Sequence, residues 1–320
     1  PRSTLSPSSA ASDVYKRQPL WMTEALGLVA ERYGFDGVWL SEHLGGRSSI
    51  VAAAHLLGRL RRVWAGLGVL NPYLFNPLNI AQIAATLSEL APNRVLLGIG
   101  AGDKTSLSRA GIEWKHPLRR VKETVEKVRA LLEAENTLGF KPAARIPIYL
   151  GAQGPKMLRL AGRIGDGVLV NYSDLRELRW VLEEVGKGVE EAGRRMTELD
   201  VAAYPAISID EDEEKALKTA APYAAYILSG ASEKVLERLG VDLKVVEELK
   251  MLVKKRSWRK IHDRIPPEYV RRIVFVGSVK QLREYILQLQ EIGYTHIAVS
   301  YTHLRAHETE ADLVCRLLLE

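Results

Sequence analysis

Apolar residues recur along the chain in two alternating rhythms, and the rhythm predicts the elements. From Leu20 to Gly34 the spacing is helical, with Leu26, Val29, Ala30 and Tyr33 on one face. A short apolar run over 35–40 predicts a strand ending in Ser41-Glu42-His43. The pattern then repeats: helix over 50–62, strand over 63–70 closing in Asn71-Pro72, helix over 76–90 with proline near its start. Strand 94–100 and the long amphipathic helix 117–135 follow, then strand 146–150 running into Gly151-Ala152-Gln153-Gly154-Pro155. Helix 156–164, strand 167–170, helix 174–192 and strand 201–209 continue the alternation. A helical, basic stretch over 211–264 precedes the helix 279–292 and the strand 295–298.

Strands that alternate with helices imply parallel pairing with helical crossovers. The expected fold is α/β, a (β/α)8 TIM barrel lacking its first strand and the end of the barrel; a doubly wound sheet is the alternative. Chemistry-bearing residues fall at the tips of nearly every strand, which favours the barrel. The insertion at about 211–272 is too long for an ordinary loop and is expected to form a helical lid.

Both ends break the pattern. Ser8 to Gln18 reads SSAASDVYKRQ, which matches the translation of a transposase-type sequencing adaptor, and Val299 to Thr309, VSYTHLRAHET, matches the opposite one. Residues 1–18 and 299–320 are therefore expected to be adaptor-derived, leaving 19–298 as the barrel. His303, His307 and Cys315 fall in that material and carry no catalytic argument.

The most informative stretch is Arg94-Val95-Leu96-Leu97-Gly98-Ile99-Gly100-Ala101-Gly102-Asp103. Its glycines let the backbone approach a flat ligand, and Asp103 follows the strand end, where barrel enzymes keep their chemistry. The spacing lacks the last glycine of a dinucleotide fingerprint. The other tips add Glu42 and His43, Gly68 and Val69 with Asn71, Gly151 to Gly154, and Asn171. A glycine loop opening a helix is an anion site, because free N–H groups and the helix dipole both favour phosphate. Metal-ligand spacings and a serine nucleophile elbow are both missing, so the pocket suits an organic cofactor with a phosphate tail, and no metal is expected.

Composition adds little beyond exclusions. Net charge is +6, with the basic residues dispersed, so anions are favoured and nucleic acid is not expected. One cysteine excludes a disulfide framework, and no apolar run is long enough to span a membrane. A cytoplasmic enzyme is expected. Few asparagines and glutamines weakly suggest a thermophilic source.

The stretches GLGVLNPYLFNP, RVLLGIGAGDK, GIEWKHP, IPIYLGAQGPKML and VAAYPAISID resemble the coenzyme F420-dependent reductases of the bacterial-luciferase-like family that act on methylenetetrahydromethanopterin. The resemblance covers 22–298. It implies a (β/α)8 barrel with the 5-deazaflavin F420 at its carboxyl-end face. The implied reaction is hydride transfer between reduced F420 and 5,10-methylenetetrahydromethanopterin to give the 5-methyl form, as in archaeal one-carbon metabolism and methanogenesis. It further implies a non-proline cis peptide at Gly68–Val69, and Asp103, Glu42 and His43 as catalytic residues. Gly68, Val69, Asn71, Gly100, Gly102, Gly151, Ala152, Gln153, Gly154 and Asn171 would hold the cofactor. The family's Asp-His is Glu42-His43 here, one methylene longer. A homo-oligomer, dimer or tetramer, is expected. The alternatives are another F420- or FMN-dependent dehydrogenase or monooxygenase of the same family, and an F420-binding protein without chemistry.

Overall fold

In the computed structural model, residues 19–102, 104–133, 138–255 and 257–301 are described, together with the backbone of 7–9. The chain opens with β1 (Pro7–Ser9), which was not predicted, and then follows the predicted alternation through α1 (Leu20–Arg32), β2 (Gly37–Leu40), α2 (Ser49–Arg59), β3 (Trp64–Leu70), α3 (Pro77–Leu90) and β4 (Val95–Gly100). Then come α4 (Lys104–Arg109), α5 (Pro117–Glu133), β5 (Ile148–Gly151), α6 (Pro155–Ile164), β6 (Gly167–Val170) and α7 (Leu175–Glu191). The chain continues through β7 (Asp200–Ala203), β8 (Ala206–Ile209), α8 (Glu213–Gly230), α9 (Glu233–Arg238), α10 (Leu243–Lys254), α11 (Trp258–His262), α12 (Pro267–Ile273), β9 (Val274–Gly277), α13 (Val279–Glu291) and β10 (His296–Tyr301).

The strands pair in parallel in the order β2-β3-β4-β5-β6-β7-β10, the sequence of neighbours a barrel requires. β1 lies parallel to β10, with Pro7 opposite Ile297, and also lies against β2. Three residues of the segment expected to be foreign thus occupy the position of the first strand. β10 runs to Tyr301, beyond the boundary expected at 298.

Two strands differ from the expected pattern. The run 201–209 is broken at Tyr204-Pro205 into β7 and β8, because proline cannot donate to a ladder. Below the break β7 pairs with β6; above it β8 pairs with β9, a strand the apolar pattern did not predict. α4 is likewise unpredicted, being too short for a periodic signal. The insertion forms a helical body with its own core of Ala220, Ala224, Leu228, Leu249 and Ile261, seated on Val274 and Val276 of β9. Among the described residues, no helix is long and apolar enough to cross a membrane.

Inside the barrel, side-chain size falls from the amino-terminal end to the mouth. Trp39, Trp64, Tyr149 and His296 fill the bottom in edge-on contacts, with Trp39 fully buried. Their rings need space that only glycine leaves: a Cβ at Gly37 would enter the Trp64 ring, one at Gly66 the Trp39 ring, and one at Gly167 the Tyr149 ring. The Trp39 indole N–H donates to His296 Nε2 at 3.3 Å, so that nitrogen is the acceptor and Nδ1 carries the proton to Asp200 Oδ2 at 2.9 Å. Asp200 also accepts from the Tyr149 hydroxyl at 2.6 Å and from Thr295 at 2.7 Å.

Burial alone would raise the Asp200 pKa, but the hydrogen bonds it accepts from His296 and from the Tyr149 and Thr295 hydroxyls hold it below the ordinary aspartate value. A carboxylate with a depressed folded pKa contributes stability above its unfolded pKa and loses it as pH falls through the folded value. Resistance of the wild type to denaturant is therefore expected to weaken as pH drops through the carboxylate range. Asp200→Asn should be less stable at neutral pH and show a shallower acid decline. An equally steep decline in the variant would count against this assignment.

At that same bottom end lies a groove of about 500 Å³ lined by Arg129, Asp166 and Arg194 among others. Asp166 accepts there from Arg129, Arg145 and the Ile148 N–H, and Arg194 donates to the carbonyls of Gly162 and Gly165. Charges so engaged serve the packing of the barrel base, the usual role of that face.

Candidate functional site

At the opposite end the interior positions are glycines. Strand alternation puts Trp64, Gly66 and Gly68 of β3 on one face, and Leu96, Gly98 and Gly100 of β4 likewise. Gly100 is paired in register with Gly151 of β5. The Gly68–Val69 peptide is cis, as the resemblance implied. Val69 sits among the three glycines. A Cβ on Gly98 would lie 2.9 Å from Val69 Cγ1, one on Gly100 2.6 Å from Cγ2, and one on Gly151 3.1 Å from Cγ1. Together they form an apolar patch to which β4 and β5 contribute glycines at this end.

The rim around this patch is tied together loop by loop. Asn71 is buried; its Oδ1 accepts from the Tyr73 N–H at 2.9 Å, and its amide nitrogen fills the space a Cβ on Gly102 would need. Gly102 has φ +65°, a left-handed conformation open to glycine at little cost. The Trp114 indole donates to the Ala101 carbonyl at 3.0 Å, and the Tyr73 hydroxyl donates to the Lys115 carbonyl at 2.5 Å. The GIEWKHP segment is thus folded over the β4 tip. Trp114 was not among the expected site residues, although it stands in one of the motifs that carried the resemblance.

Across the mouth, the Gln153 side-chain amide donates to Asn171 Oδ1 at 2.8 Å, and Ala152 is buried with its N–H on the Leu169 carbonyl. Gly154 is the N-cap of α6, with Pro155 in its first turn and no side-chain cap. The Gly154 N–H has no protein partner among the described residues. A proline-opened helix with a free glycine N–H suits an anion.

Glu42 is bonded through one of its two carboxylate oxygens. Its Oε2 accepts both the N–H of Ser49 at 2.7 Å and the Ser49 hydroxyl at 2.6 Å, anchoring the first turn of α2. His43 follows it, half-buried, in the loop after β2. Asp103 lies outside the described residues; the structure describes its neighbours Gly102 and Lys104. The described strand tips therefore form one arc, from Asn71 and Gly102 through Val69, Gly100 and Gly151 to Gln153 and Asn171.

Comparison with known proteins agrees with this geometry. Residues 3–296 match the family described as luciferase-like monooxygenases. A 5,10-methylenetetrahydromethanopterin reductase of Archaeoglobus fulgidus is 35% identical over 286 residues, covering 84% of this chain and 86% of that protein. An F420-dependent glucose-6-phosphate dehydrogenase of Nakamurella multipartita is 30% identical, covering 90% and 88%. Among solved structures, the coenzyme F420 dependent tetrahydromethanopterin reductase of Methanopyrus kandleri superposes with a TM-score of 0.85 at 26% identity, over 98% of both chains.

Proposed function

We propose, from the premise that this chain belongs to the luciferase-like monooxygenase family, that it is an F420-dependent oxidoreductase. Its proposed substrate is 5,10-methylenetetrahydromethanopterin, reduced to the 5-methyl form. The observation that supports the cofactor assignment is the cluster of Gly98, Gly100 and Gly151 around Val69, whose side chain fills the space their Cβ atoms would need and offers a flat apolar surface suited to a planar ring. When bound, a deazaflavin supplies a hydride rather than single electrons. Val69 and the glycines would hold its ring, and the Gly151–Gly154 loop its phosphate. Asn71 would keep Gly102 and the β4 tip in place. The methylene carbon of the pterin becomes electrophilic when a neighbouring ring nitrogen is protonated, so a general acid is required. We assign that proton to Asp103, with His43 beside the mouth and Glu42 fixing the loop that carries His43.

The names of two similar proteins, a coenzyme F420 dependent tetrahydromethanopterin reductase and an F420-dependent glucose-6-phosphate dehydrogenase, support the cofactor more firmly than the pterin. The family name keeps an FMN monooxygenase as the second reading. Titration of the protein with F420 and with FMN separates the two. Tighter F420 binding, with oxidation of reduced F420 only when methylenetetrahydromethanopterin is added, is the expected result. Equal or tighter FMN binding would overturn the assignment in favour of oxygen chemistry.

A further inference from the structure

The helical insertion is linked to the anion loop by way of Arg238 and Tyr172. Arg238, the last residue of α9, donates from Nε to Glu177 Oε2 at 2.6 Å and from Nη2 to the Tyr172 hydroxyl at 2.9 Å. Its guanidinium carbon lies 3.7 Å from the centre of the Trp180 ring. The Tyr172 hydroxyl donates in turn to the Gln153 carbonyl at 3.1 Å. Valence fixes the direction of this relay: arginine only donates, so the tyrosine oxygen accepts from it and the tyrosine proton goes to the carbonyl. Burial pushes the Tyr172 hydroxyl up to about 12, against the opposing charge of Arg238, so it remains a donor at neutral pH. Donors in series polarise one another, and Tyr172 and Glu177 are buried, where such bonds are strongest.

The receiving group is the carbonyl of the peptide that joins Gln153 to Gly154. A trans peptide is planar, with its C=O and N–H opposed. With the carbonyl drawn to Tyr172 and the Gln153 side chain held by Asn171, the Gly154 N–H is turned the other way. That N–H, like the Lys156 N–H after Pro155, has no protein partner among the described residues at the start of α6, where Pro155 offers none.

We infer that Arg238 is a positioning residue: through Tyr172 it fixes the orientation of the Gly154 N–H, so the helical insertion sets the affinity of the anion loop for its phosphate. The ligand named here rests on the F420 assignment above; the effect on the loop does not. Neither Arg238 nor Tyr172 is among the residues assigned to the ligand.

Tyr172→Phe separates this role from simple anchoring of the insertion, because it removes the relay and leaves Arg238 on Glu177 and Trp180. The loop's order is read by hydrogen exchange of the Ala152, Met157 and Leu158 amides, which donate to the carbonyls of Leu169, Gly154 and Gly154. In the protein without cofactor, their exchange should quicken by about tenfold in Tyr172→Phe, the scale of one lost hydrogen bond. Arg238→Gln should do the same, and the double variant should add little to either. F420 should bind Tyr172→Phe about tenfold more weakly, while turnover at saturating cofactor and the melting temperature stay near wild type. Exchange within twofold of wild type in Tyr172→Phe, with a lowered melting temperature in Arg238→Gln, would reduce Arg238 to an anchor and overturn the inference. Failure of the wild type to bind F420 would refute the cofactor assignment instead, and the exchange measurement would still decide the role of Arg238.

Discussion

Asp103→Asn is expected to slow hydride transfer by roughly 10²-fold or more, the usual scale for a general acid or base. Fold and F420 affinity should change little, because the substitution is isosteric. The residues that flank it frame the expectation. Gly102 is held against Asn71, and the Ala101 carbonyl is bonded to Trp114, so the two residues that precede it are held at the mouth beside the glycine patch. Single-turnover oxidation of reduced F420 by methylenetetrahydromethanopterin measures the step directly. A solvated turn residue would leave the rate within a factor of a few of wild type, and that result would remove Asp103 from the chemistry.

The largest structural effect is expected where α6 and α7 cross. A Cβ on Gly188 would run into the backbone carbonyl of Arg159, and one on Gly162 into that of Val185. Backbone cannot rotate aside as a side chain can, so Gly188→Ala must push the helices apart. It should destabilise by about 3 kcal/mol, the upper range for overpacking. Gly186 is the internal control: it lies in the same helix, and a Cβ added there would meet nothing within 4 Å. Gly186→Ala should stabilise by up to about 1 kcal/mol through helix propensity alone. Denaturant melts of the two variants should therefore move in opposite directions from wild type. A common direction would show that the crossing is looser than its geometry indicates.

Much of the barrel was legible in the sequence because its signals are local. A run such as Val95–Gly100, or a Pro77 at a helix start, announces its element from residues a few positions apart. The strand tips were legible for the same reason: Gly98, Gly100 and Gly102 stand in one stretch, as do Gly151 and Gly154. Gly37, Gly66 and Gly167 were not recognisable as parts of the interior, since each is explained by an aromatic ring from another strand. The break at Tyr204-Pro205 had a signal, the proline within the run 201–209, and it was the partner β9 that could not be foreseen. Glu42 looked like an acid at a strand tip; that Ser49 claims its oxygen depends on how the loop folds back. Arg238 is more than sixty residues from both Tyr172 and Glu177, and no periodicity in the sequence links them.

The gradient of side-chain size inside the barrel makes it a vessel with one opening. Trp39, Trp64 and Tyr149 seal the lower end, so water and ligands exchange through the glycine-lined upper end. Under the proposed function, cofactor and pterin would share that doorway, with the cofactor on the patch and the pterin above it. Traffic through the site would then be first in, last out: what rests on Val69 would leave only after its visitor had gone.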